Sequence, residues 1–352
     1  MTGAAADRPK TSGQEPGSLL LVLDHFYPYV GGNETLFWNA TRALIRAGWQ
    51  VQVVTRLDAG TCPQETIEGI AIRRVWTPDF AQRFFFQILS LPAIWVGSRK
   101  AELVHAVVYA SAFPAWLVAM LRGKSFVLTV HEVFGKDWNA LTDIGWFAGA
   151  ILRLFEGILL RLPKTQFVTP SQFSGRRLHE IANVPWNRIH VVLNIMDYDF
   201  WDPTKHQAHP LREELNVPSD CFLYLYFGRP GASKGVEYLV EAAGIVREQI
   251  ANSRLVLLLS HEPASRYQRI VQFIREKDLE EHVRLIPPVP RDQLPGYLLA
   301  ADCVVVPSIS EGFGYSAAEA ATLGCHVIST TGHAVEEILE GDVDLVPPRD
   351  SQ

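Results

Sequence analysis

The sequence predicts an α/β protein made of two doubly wound, parallel-sheet domains, and three observations carry that expectation. Its 352 residues exceed one ordinary domain. Short, continuous apolar runs, the mark of strands covered on both faces, alternate with stretches of helical periodicity. The alternation stops at a polar, proline-bearing segment, 197–216, and then starts again. Strand–helix–strand repetition of this kind implies parallel sheets with right-handed crossovers.

Residues 1–17 are rich in Gly, Ala, Ser and Pro and contain no apolar core, so they read as a disordered tail and not as a signal peptide. The first domain spans 18–196. It opens with the apolar run Leu19 to Leu23, followed by a helix from Thr35 to Ala47 that stops at Gly48. Strands follow at Val51 to Thr55 and Ile70 to Trp76. Phe84 to Val96 reads as one long aromatic helix, Leu103 to Val107 as a strand and Phe113 to Leu121 as a helix. Phe126 to Val130 is a strand running into His131-Glu132. Ile144 to Leu162 and Ser171 to Ala182 are helices, with strands at Gln166 to Val168 and Ile189 to Leu193. After the link, 217–352 forms the second domain. Its strands are Phe222 to Phe227, Leu255 to Leu259, Val283 to Ile286 and Cys303 to Val306, with helices at Val236 to Ile250, Ala264 to Lys277 and Leu294 to Leu299.

Composition narrows the function. Hydrophobic residues make up 48%, charged residues 20%, and the net charge of −6 argues against a nucleic-acid binder, whose footprint is basic. Cys62, Cys221, Cys303 and Cys325 form no CxxC pair and no cluster with histidine, which suggests free thiols in a reducing, cytoplasmic setting and no metal or cofactor. No uncharged apolar stretch reaches membrane-spanning length. From Arg83 to Arg188, however, twelve basic residues stand against six acidic ones. The same region holds Phe84-Phe85-Phe86, Trp95, Trp116, Trp146 and Phe147. That combination suits peripheral contact with an anionic membrane, at its inner face. It suits ordinary core-facing aromatics with scattered surface cations equally well.

Four loops at the carboxyl ends of expected strands carry candidate chemistry, because open α/β sheets bind ligands at that edge. The central one is Ser308-Ile309-Ser310-Glu311-Gly312-Phe313-Gly314-Tyr315-Ser316, with Glu319 about two turns further along a helix. Its glycines allow close backbone approach, the first helical amides form an anion site, and carboxylates accept from sugar hydroxyls. Spacing alone would equally describe a surface turn with two solvated glutamates. A second loop, Phe227 to Gly235, sets Arg229 and Lys234 on either side of a glycine-containing turn, as a fork and a point charge for phosphate oxygens. Being on a loop, Lys234 is expected to be dispensable for folding. Gly31-Gly32 follows the first strand and lacks the rest of a dinucleotide fingerprint. His131, taken alone, reads as a strand cap or a surface residue. The triplets Asp197-Tyr198-Asp199 and Asp342-Val343-Asp344 follow no central strand and read as accidental.

Taken together, Gly31-Gly32, His131, the Gly228-Arg229 to Lys234-Gly235 element, and Glu311 and Glu319 around Gly312-Phe313-Gly314 resemble, in this chain order, the motifs of retaining, nucleotide-sugar-dependent glycosyltransferases of family 4. The resemblance implies the GT-B fold, two Rossmann-like domains facing a central cleft. It implies transfer of a sugar from a nucleoside diphosphate sugar to a hydroxyl of a glycan or lipid-linked acceptor, with retained configuration and no metal. By the same resemblance His131 and Glu311 are catalytic. Gly31, Gly32, Arg229, Lys234, Gly312, Phe313, Gly314, Tyr315, Ser316 and Glu319 bind the donor, with Glu319 on the ribose. The sequence departs from the family at His333, where a second Gly is usual, and at Asn194-Ile195 and Asp344. It also stops at Gln352, short of the family's final helices, so a catalytically inactive sugar-nucleotide-binding protein or an epimerase relative is the alternative expectation.

Overall fold

The computed structural model describes residues 16–29 and 31–352; residues 1–15 of the expected tail, and Val30, lie outside the described residues. The chain divides into two compact units, the first closing at Thr129 and the second opening at Val130.

The first unit contains six strands, β1 (Ser18–Val22), β2 (Gln50–Arg56), β3 (Gln64–Ile67), β4 (Ile70–Val75), β5 (Leu103–Val107) and β6 (Ser125–Thr129). They run in the order β3-β4-β2-β1-β5-β6, with β1 parallel to both β2 and β5. Leu19, Leu21, Val51 and Val53 from the central strands pack with Leu36 and Phe37 of the helix Gly32–Arg46 in one core. Every position of β1 after Ser18 is buried, which is why the run reads as continuously apolar.

Two elements differ from the sequence reading. The expected helix from Phe84 to Val96 is two helices, Gln82–Leu89 and Leu91–Gly97. Pro92 falls in the first turn of the second, where its missing N–H costs nothing, and could not sit in the interior of a single helix. Strand β3 was not foreseen. It runs antiparallel to β4 through Glu68-Gly69, both at positive φ, but its sequence, Gln-Glu-Thr-Ile, carries no apolar alternation because it lies at an edge.

In the second unit β7 (Thr165–Thr169) pairs in parallel with β8 (Ile189–Val191). A six-stranded sheet follows, made of β9 (Phe222–Gly228), β10 (Ser253–Leu259), β11 (Val283–Ile286), β12 (Cys303–Val306), β13 (Val327–Thr330) and β14 (Asp344–Val346), in the order β11-β10-β9-β12-β13-β14. All its pairings are parallel. Leu223 and Leu225 of β9 belong to the core on one face, Tyr224 and Tyr226 to the core on the other, so helices cover both faces. Segment 197–216, read as a link, sends Trp201 and Leu211 into the first of these cores, where both are fully buried. Of the four cysteines Cys221 and Cys303 are buried, and all four are free.

Candidate active site

The geometry begins with two neighbouring strands. β9 and β12 are paired in parallel, Cys303 opposite Tyr224 and Val304 opposite Leu225, so the loops leaving their carboxyl ends emerge side by side. The first loop runs from Gly228 through Arg229 and Lys234 into the helix Val236–Gln249. The second runs from Pro307 to Gly314 into the helix Tyr315–Thr322. They are locked together by backbone contacts. Ile309 N donates to Ser233 O at 2.7 Å, and a Cβ on Gly235, at φ +65°, would lie 2.0 Å from Pro307 O. Only glycine fits there.

This docking brings Lys234 to Glu311. Lys234 Nζ donates to Glu311 Oε1 at 2.6 Å, and Ser308 Oγ donates to the same oxygen at 2.7 Å. Oε2 keeps no hydrogen bond among the described residues, so it is an acceptor in waiting. Burial alone would raise the Glu311 pKa. The Lys234 charge and the two hydrogen bonds outweigh burial and hold the carboxyl below its usual range. Arg229, in contrast, is exposed and makes no side-chain hydrogen bond or ion pair among the described residues. It is a free cation on the same loop.

The helix after Gly314 presents a second pair of groups. Tyr315 and Glu319 are one turn apart on one face. The Tyr315 hydroxyl is buried without a hydrogen-bond partner. Burial pushes the Glu319 carboxyl up to about 7, with the nearby Arg291 charge opposing it weakly. A buried hydroxyl without a partner among the described residues, beside a half-buried carboxylate, calls for a ligand or ordered water.

The third component comes from the start of the unit. Gly312 lies so close to His131 that a Cβ there would meet His131 O at 1.9 Å. The Gly312 carbonyl accepts from Ser171 Oγ at 2.7 Å and from Ser174 Oγ at 3.2 Å, and Ser174 Oγ also reaches His131 O. Next to it Glu132 accepts from Ser310 Oγ at 2.5 Å. Burial lowers the His131 pKa to about 4, so the imidazole is neutral, and burial with the neighbouring Glu311 charge raises Glu132 to about 7. A neutral imidazole can both donate and accept, as a hydroxyl-bearing ligand requires.

Ten of the twelve residues singled out from sequence therefore lie in the second unit, on three segments that touch. Gly31 and Gly32 lie in the first, at the start of the helix Gly32–Arg46, where a Cβ on Gly31 would meet Glu34 Oε2.

Two family models cover most of the chain. The model of glycosyltransferase family 4 matches residues 30–200, and that of glycosyl transferases group 1 matches residues 208–352. The chain belongs to the group 1, family 4 glycosyltransferases. Among curated relatives of this glycosyltransferase, D-inositol 3-phosphate glycosyltransferase of Xylanimonas cellulosilytica is 28% identical over 334 residues, covering 90% of this chain and 79% of the relative. Its counterpart in Thermomonospora curvata is 25% identical, over 85% of this chain and 74% of the relative. Among solved structures, sucrose-phosphate synthase from Thermosynechococcus elongatus has a TM-score of 0.77 at 23% identity, over 95% of this chain and 87% of its own. Anabaena HepE, solved in complex with UDP and glucose, has a TM-score of 0.73 at 17% identity, over 96% and 87%. The fold is GT-B, as the motifs implied.

Sequence reasoning left Glu132 open and missed Ser308, Ser310, Ser171 and Ser174. These partners are polar residues of ordinary kind whose role depends on contacts up to 178 positions apart, as between Glu132 and Ser310. The one available signal was the run of serines flanking Glu311.

Proposed function

We propose that this glycosyltransferase moves a sugar from a nucleoside diphosphate sugar to an acceptor hydroxyl with retention of anomeric configuration. The observation that carries the reading is the Glu311 carboxylate. It is held ionised by Lys234 and Ser308 through Oε1 while Oε2 stays available, beside the unpartnered Arg229. Breaking the bond between the sugar and the diphosphate leaves positive charge on the sugar and negative charge on the leaving group. Arg229, Lys234 and the first amides of the helix Tyr315–Thr322 stabilise the second, with no divalent ion required. Glu311 Oε2 and the neutral His131 hold sugar hydroxyls. The acceptor oxygen attacks on the face the diphosphate leaves, and its proton passes to a leaving phosphate oxygen. The unpartnered Glu319 and Tyr315 suit the ribose. The relatives named as inositol phosphate glycosyltransferases, and neighbours solved with UDP or ADP, support a nucleotide donor and a polyol-like acceptor. A cytoplasmic site of action agrees with such a donor.

The test is calorimetry with UDP, GDP and ADP and their sugars, followed by turnover in EDTA against inositol phosphate and lipid-linked acceptors. Glu319→Ala should weaken free nucleotide and intact donor alike. Glu311→Gln should leave the free nucleotide within about threefold while lowering kcat about 10²-fold or more, the pattern of a group felt mainly in the transition state. If both substitutions are silent, or if a product forms with inverted configuration, the reading is wrong.

A further inference from the structure

The second unit carries a helix whose faces are reversed with respect to water. In Trp146–Leu159, Gly149, Glu156 and Leu159 are buried against the protein. The outward stripe, Phe147, Ile151, Leu154 and Ile158, follows helical spacing and is apolar throughout. Trp146 is 79% exposed, Phe147 71% and Leu154 68%. Of the aromatics that sequence could assign equally to core or surface, Trp146 and Phe147 are on the surface, whereas Phe86 is buried. An outward apolar stripe of this length on one helix marks an interaction surface.

The charges around it say what kind. A groove of about 860 Å³ beside the stripe is lined by Lys136, Arg153, Arg161 and Asn139 among otherwise apolar residues, and by no acidic residue. Arg161 spends its donors on the carbonyls of Gly157 and Ile181 and pairs with no carboxylate. Three of the nearby acids are already engaged. Asp137 pairs with Arg177 and Asp143 with Arg266. Glu156 is buried, accepting from the amides of Phe134 and Gly135 and from the Trp138 indole. The face is thus apolar in the middle and cationic at the rim, with no carboxylate lining its groove. A second copy of the chain docked across a two-fold axis would set these cations against themselves.

We propose that this face, the helix Trp146–Leu159 with Lys136, Arg153 and Arg161, seats the protein on the surface of a bilayer containing anionic lipids. Aromatic and aliphatic side chains enter the headgroup boundary while the cations meet lipid phosphates. The inference is independent of the reaction proposed above, because it needs neither nucleotide nor acceptor.

The experiment is co-sedimentation of the full chain with phosphatidylcholine vesicles, with and without about 30 mol % phosphatidylglycerol. Wild type should bind the anionic vesicles, and the binding should fall in high salt. Trp146→Ser with Leu154→Ser should weaken it by about tenfold or more. Lys136→Glu with Arg153→Glu should weaken binding to anionic vesicles by about tenfold and leave neutral vesicles unaffected. All four side chains are exposed, so thermal melting should not move. Failure of wild type to sediment with anionic vesicles, or wild-type binding by both double variants, overturns the proposal. So does a concentration-dependent dimer in sedimentation velocity that Trp146→Ser abolishes, since the face would then be an interface between copies.

Discussion

The Lys234–Glu311 pair couples chemistry to stability within two side chains. On sequence grounds Lys234 is a loop cation, free to be removed. In the structure it neutralises a carboxylate whose side chain is only 13% exposed. Lys234→Ala should therefore weaken nucleotide binding and also destabilise the fold by about 1–3 kcal/mol, less than for a fully buried pair because Lys234 itself is partly exposed. Adding Glu311→Gln should restore most of the loss, because the stranded charge is gone. Denaturant melts of the two single variants and the double variant measure this directly, and additive effects would mean that the two residues do not interact. At this scale the sequence singled out residue types and left their contacts unread. Glu311, Lys234 and Glu319 stood out because unusual residue types cluster on strand-end loops. That Lys234 and Ser308 share one oxygen of Glu311 depends on the docking of two loops 77 positions apart, which no local pattern encodes.

At the scale of elements, the glycines at the two ends of the helix Tyr315–Thr322 separate cleanly into those that are crowded and those that are merely turned. Gly312 has backbone where a side chain would go. Gly324 sits at φ +77° with open space around it. Gly312→Ala should cost roughly 2 kcal/mol or more by pushing the turn away from His131, and should lower donor binding too. Gly324→Ala should cost about 1 kcal/mol, the ordinary penalty for a left-handed position, with binding unchanged. Equal losses at the two positions in thermal and binding assays would contradict the crowding seen at Gly312. Most strands and helices were legible from the sequence because they are buried on both sides, as in β1 and β9. The elements that were misread obey other rules: Pro92 cuts a helix that periodicity would continue, and β3 is a polar edge strand. The exposed aromatics of Trp146–Leu159 were ambiguous for a related reason. Periodicity reveals an apolar face without saying whether protein covers it.

For the molecule as a whole, pH draws the parts together. Glu132 and Glu319 have folded-state pKa values raised from 4.5 to about 7, so the stability tied to their protonated forms is present below about pH 4.5 and lost as pH rises through 7. His131 works in the other direction. Its pKa falls from 6.5 to about 4, so its contribution is present above 6.5 and lost as pH falls through 4. Two carboxyls outweigh one imidazole, so the sum of the three should peak at about pH 4 to 4.5 and fall as pH rises to 7. Glu132→Gln with Glu319→Gln should move the maximum upward, with the gain over wild type largest at pH 8 and absent near pH 4. Melting temperatures across that range test it, and a flat difference between variant and wild type would contradict the burial of these carboxyls.

The helix Gln172–Ala182 begins with two amides, of Gln172 and Phe173, that donate to the carboxylate of Glu337 at 2.6 and 2.9 Å. That carboxylate lies 165 positions later in the chain. On a ribosome adding about 5–20 residues per second, the start of the helix is made some 8–33 seconds before its partner. Throughout that interval its leading amides, and the Ser171 hydroxyl proton destined for Gly312, can be met only by water or by a chaperone. A nascent chain arrested just before Glu337 should therefore remain protease-sensitive at residues 171–174 and become resistant once translation resumes.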